Sequence, residues 1–166
     1  MYHTIIDFLT DWDYENKSTL NVFKNLSDVS LHQKVSPEGR SLGRLAWHIV
    51  LTLGEMGGKA GLNIISPPEN APEPISASVI ADAYEKAGAS IAAEVKHNWN
   101  DLMLKETIQM YGERWTRSAT LHSLVKHQIH HRAQMTVLMR QAGLPVPGIY
   151  GPSREEWDRF GMPAPE

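Results

Sequence analysis

The apolar positions of the chain fall into four stretches of helical period, separated by prolines and turn residues. In the first, Ile5, Phe8, Leu9, Trp12, Leu20, Phe23 and Leu26 recur mostly at intervals of three and four, the spacing that brings side chains onto one face of an α-helix. This predicts a helix from about Thr4 to Leu26. The second stretch, "SLGRLAWHIVLTLGEMGGKAGL", opens on Ser41, a residue type that caps helix N-termini, and runs into glycines. Leu45, His48, Leu51, Thr52 and Leu62 lie along one side of it. Next comes "NIISPPENAPEP", where Pro67, Pro68, Pro72 and Pro74 remove N–H donors and keep their predecessors out of the helical region. It is read as a long loop, and such loops often border sites.

The third helix is expected to start near Ser76 or Ser78 and to continue through Ile80, Ala83, Tyr84, Ala87, Ile91 and Val95, with alanines that permit close approach of a neighbour. "KETIQMYGERWTRS" is too short for its periodicity to decide, and is read as irregular or as a short hairpin turning at Gly112. The fourth helix runs from about Ser118 to Ala142, where Gly143 suits the left-handed C′ position and Pro145 forbids continuation. Beyond "LPVPGIYGP", Ser153 and Glu156 have the spacing of a capping box for a short terminal helix through Phe160. The expectation is an all-α chain forming one domain over residues 1–166, an antiparallel four-helix bundle with a short C-terminal helix.

Composition removes several function classes. With 166 residues the chain can bury a sizeable core, and with no cysteine it offers no disulfide, thiolate nucleophile or sulfur ligand. That leaves imidazoles and carboxylates as metal ligands, and points to an intracellular, cytoplasmic location. A net charge of −3, from 16 basic and 19 acidic residues without a basic cluster, argues against nucleic acid as the partner. The start, interrupted by Asp7, Asp11 and Asp13, does not read as a targeting leader, and no apolar run reaches the ~20 residues that span a bilayer.

Against this background "LVKHQIHHRAQM" stands out, because it puts His127, His130 and His131 on a helix that should be apolar on one side. With His131 taken as the centre of the inward face, at about 100° per residue His127 lies about 40° to one side, and Leu124 and Met135 about 20° and 40° to the other. His130 is about 100° away, at a flank, and reads as a surface or supporting residue. Rings at i and i+4 can reach one ion. His48 alone among the other histidines sits in the middle of an apolar stripe on another helix, and a facing helix in a bundle is close enough for it to complete the set. His48, His127 and His131 are therefore the candidate ligands of one divalent metal, with a position left for water or substrate. Protonation of free imidazoles predicts that binding weakens below about pH 6.5.

Other residues carry less. Glu55 is about 10.5 Å along the helix from His48, too far to share the ion, and is placed at the bundle rim. Trp12, Trp47 and Trp115 are read as core or interface aromatics. Val125 and Ile129 fall on the outer side of the fourth helix, an apolar strip that suggests a homodimer.

"WHI" on the second helix, "HQIHHRAQ" on the fourth and "RQAGLPVPGIYGPSREEW" after it resemble the DinB/YfiT-like, damage-inducible proteins over nearly the whole chain. The resemblance implies a four-helix bundle, commonly dimeric, with a divalent metal held by one histidine of helix two and an H-x-x-x-H pair of helix four; these positions are His48, His127 and His131. Where the family usually has glycine, this chain has Ala133, which leaves the ligands untouched. The family's activities imply a metal-dependent transferase that uses a small external thiol on an electrophile. The alternatives are a hydrolase working through a metal-activated water and a non-catalytic, stress-related metal-binding protein. Imidazole ligands suit zinc or nickel first, and iron or copper as well. No general acid or base is identifiable from the sequence.

Overall fold

The computed structural model describes residues 1–165. Four helices carry it: α1 (Ile5–Lys24), α2 (Leu42–Lys59), α3 (Ala77–Asn98) and α4 (Arg117–Gln141). Each begins where the local chemistry allows. Thr4 and Asp7 form a reciprocal capping box on α1, Ser41 accepts the Arg44 N–H at the head of α2, and Thr116 accepts the Ala119 N–H at the head of α4. Gly143, at φ 73°, follows α4 in the left-handed region. The ambiguous stretch before α4 is a two-stranded antiparallel hairpin, β1 (Thr107–Met110) and β2 (Glu113–Thr116), in which Met110 pairs with Glu113. The terminal segment Arg154–Phe160 is a 3-10 helix, with the Glu156 carboxylate accepting the Ser153 N–H.

The helices occupy the corners of a bundle in which α1 packs on α3 and α4, and α2 packs on the same two. Trp12 donates to Gly88 O and the Ile5 N–H reaches Asp101, so α1 and α3 are antiparallel. His48 lies against His127, and Leu45 shares a cavity with Leu138 while Glu55 shares one with Ser123, so α2 and α4 are antiparallel too. Neighbours across these pairs run parallel: Ser118 donates to Tyr2 O, and Gln128 and Arg132 donate to Glu15 O, on α1. Parallel neighbours need long connections. The proline loop between α2 and α3 is one, tied down by Trp47, which donates to Ala71 O. The close packing anticipated from the alanines is tightest at Gly88, where a β-carbon would run into Asn16 of α1.

The outer apolar strip expected on α4 does not exist. Val125 is 3 % exposed and Ile129 packs partly buried against the core. Touching both α1 and α2, the helix buries a wide arc through Leu121, Leu124, Gln128, Arg132, Met135 and Met139. That arc is centred about 60° from His131, at about 100° per residue, which brings Val125 inside it.

Candidate metal centre

Because the buried arc is displaced from His131, the histidines of α4 stand at its edge, in the seam with α2. There His48 Nε2 lies 3.0 Å from His127 Nε2. The ring centroids of His48, His127 and His131 are 4.4–4.8 Å apart. One ligand atom from each ring lies within 4.8 Å of the others, so the three can hold a metal ion. Among the described residues no other histidine or carboxylate joins the group. His130 is exposed, and although its ring centroid is 4.9 Å from that of His131 it stands outside the cluster. His3, His32 and His97 are exposed, and His122 is half-buried against the Tyr2 ring.

The donor set is in ligand form. Burial, then the neighbouring His131 ring, lowers His48 to about 4; burial, then His131 and His48, does the same to His127. Burial also lowers His131, opposed by its hydrogen bond to Gln134. Neutral imidazoles are what a metal binds. Gln134 Oε1 sits 2.8 Å from His131 Nδ1, and accepting that proton leaves Nε2 as the lone-pair donor. This partner was readable in principle, as a polar residue three positions along the same helix face.

Two cavities meet the cluster from opposite ends of the seam. One, of about 340 Å³, places His48 and His127 with Thr52, Glu55, Tyr111 and Trp115. Glu55 stands at the rim as predicted and pairs with Lys59 at 3.2 Å. Trp115 is a cavity wall rather than a core residue, whereas Trp12 and Trp47 are buried. The other cavity, of about 300 Å³, places His131 and Gln134 with Arg40, Val35, Leu45 and Leu138. Tyr111 and Arg40 come from loops whose path no periodicity announces.

A helical bundle whose central seam exposes a three-histidine cluster to two cavities defines the class: a bundle protein able to hold a metal ion through imidazoles. The family model described as the DinB family matches residues 1–165, and the chain belongs to that family. A relative from Bacillus subtilis (strain 168), named Uncharacterized protein YrdA, is 43% identical over 166 residues, covering 100% of this chain and 99% of its own length. The crystal structure of a DinB-like protein from Bacillus cereus ATCC 10987 is 42% identical and has a TM-score of 0.87, covering 90% of this chain and 100% of that one. A second crystal structure, of the DinB-like protein YjoA from Bacillus subtilis, shares the fold at 20% identity with a TM-score of 0.65, over 82% of this chain and 92% of its own. Among the described residues no helix is long and apolar enough to cross a membrane.

Proposed function

We propose that this chain is a divalent-metal-dependent enzyme of the DinB family that uses a small external thiol against an electrophile, with His48, His127 and His131 as the metal ligands. The observation that carries the reading is the cluster itself: three imidazoles converge from two helices, and both cavities open onto them. A bound divalent ion with open positions lowers the pKa of a thiol and makes it nucleophilic at neutral pH. The chain's own part is to hold the rings neutral, to fix His131 through Gln134 and to receive the reactants in the cavities. A storage or structural role fits less well, because closed sites take a fourth protein ligand and no such residue joins the cluster among those described. With no cysteine in the chain, the sulfur has to come from outside.

The test is metal content, measured by elemental analysis on protein purified without a histidine tag. The wild type is expected to carry one divalent ion per chain. His48→Ala, His127→Ala and His131→Ala are each expected to lower affinity by orders of magnitude, with His130→Ala close to wild type and helical circular dichroism unchanged throughout. A site emptied by His130→Ala but kept by His127→Ala would overturn the ligand set. Loaded protein is then screened with thiols against a reactive electrophile, and turnover without thiol dependence would favour hydrolysis by metal-activated water.

A further inference from the structure

The charge around the histidine cluster does not balance. An imidazole ligates as the neutral ring, so an ion held by three of them keeps its full double positive charge. Arg40 lines the same cavity as His131, and Arg44 lies one turn before His48 on α2. Against these stands Glu55, the carboxylate whose charge reaches His48, and it is already paired with Lys59. Among the described residues, neither Arg40 nor Arg44 has a carboxylate within ion-pair distance. Three of the other six arginines do: Arg117, Arg132 and Arg140 each face a glutamate. The site is thus built with an excess of positive charge on the Arg40 side, and negative charge has to arrive with the ligand.

We propose that the cavity bounded by Arg40, His131 and Gln134 is the subsite for a substrate carboxylate, and that the thiol used by this protein is a small mercaptocarboxylate. Its acid group pairs with the Arg40 guanidinium, whose planar fork matches a carboxylate through two parallel hydrogen bonds. Val35, Leu45 and Leu138 supply apolar walls for a short hydrocarbon spacer, and about 300 Å³ admits a small molecule of this kind. The opposite cavity, lined by Glu55 and two aromatic rings, presents no arginine, its carboxylate being paired with Lys59, and is left for the electrophile. The sulfur end of this inference rests on the thiol reading above; the carboxylate end stands on Arg40 alone.

Three probes separate the two ends: 3-mercaptopropionate, 3-mercapto-1-propanol, which keeps the thiol and loses the charge, and propionate, which keeps the charge and loses the thiol. Each is titrated calorimetrically into metal-loaded wild type, Arg40→Ala and Arg40→Gln, with circular dichroism confirming the fold. Arg40 is exposed on a loop, so both variants are expected to fold. In the wild type the mercaptocarboxylate is expected to bind roughly three- to fivefold more tightly than the alcohol, the factor that corresponds to a well-formed ion pair at an exposed arginine. Both variants are expected to abolish that preference while leaving the affinity for the alcohol unchanged. Equal binding of the two thiols by the wild type, or a preference that survives both variants, would overturn the carboxylate subsite. Arg40-dependent binding of propionate with no binding of either thiol would sink the thiol reading and leave the subsite standing. No binding of any probe would sink both.

Discussion

His48 and His127 hold their protons much more weakly than a free imidazole, and this moves the pH range in which a metal is lost. Both are lowered from 6.5 to about 4, chiefly by burial. In the metal-free protein, folding disfavours their charged forms, so the unfolded chain binds more protons between these values. Stability from these groups is therefore present above about 6.5 and is lost as pH falls toward 4. Protons compete with metal at His48 and His127 only near the lowered values, so loss beginning just below 6.5, as free imidazoles would predict, is replaced by a loss that sets in further down and steepens toward 4. Chelator competition at several pH values checks this; a tenfold loss between pH 7 and 6 would contradict it. Gln134→Ala frees the proton-bearing nitrogen of His131 and is expected to weaken metal binding about tenfold without emptying the site, the usual cost of removing such a partner. Equilibrium metal titration of the variant reads that number.

At the scale of elements, the hairpin and α4 impose opposite demands on their residues. The two-residue turn between β1 and β2 places Tyr111 at φ 51° and Gly112 at φ 84°. Two positive φ values match a type I′ hairpin turn, which asparagine followed by glycine fills best. A tyrosine there is strained, and it faces the cavity of His48 and His127. Tyr111→Asn is expected to stabilise the fold by about 0.5–1 kcal/mol in urea denaturation, with metal affinity unchanged because the side chain is not a ligand. A destabilised variant would mean that the ring's contacts with Trp115 and Lys59 outweigh the strain. In α4 the wide buried arc forces polar side chains inward: Gln128 accepts from Tyr84 and donates to Glu15 O, both bonds buried.

For the whole molecule, the element that joins core to C-terminus is an ion pair. Glu15 on α1 and Arg132 on α4 are 3 % and 1 % exposed and lie 2.7 Å apart. Arg132 also donates to Thr19 Oγ1 at 3.0 Å and to the Tyr150 hydroxyl at 2.8 Å, and that hydroxyl donates to Glu15 Oε1 at 2.8 Å. The segment after α4 is thereby pinned across α1, where Tyr14 stacks on Tyr150 and donates to Ile149 O. Removing one charge leaves the other buried and unpaired, so Arg132→Ala is expected to cost about 3–5 kcal/mol. The double variant Glu15→Met, Arg132→Met is expected to recover most of that loss, and Tyr150→Phe to cost about 1–2 kcal/mol. Chemical denaturation of the four proteins side by side measures all three. The dimer expected from Val125 and Ile129 has lost its ground, since Val125 is core.

Helix positions and caps were legible because they depend on local rules: the period of the apolar residues, Ser41 before Leu42, Gly143 after α4. The histidine trio was legible for the same reason, since an i, i+4 pair on one helix and a lone His48 on another stripe are facts of spacing. What spacing cannot supply is the direction from which neighbours press. The sequence identifies the faces of α4, but the burial of Val125 and Arg132 depends on the helix touching α1 as well as α2. No local pattern announces the burial of Arg132, because its partner Glu15 is 117 positions away. Arg40 and Tyr111 likewise reach the cavities through loops whose course is set by packing rather than by period. Sequence determined which side chains could bind a metal; tertiary structure alone decided what surrounds them, because burial and charge at a point are sums over residues distant in the chain.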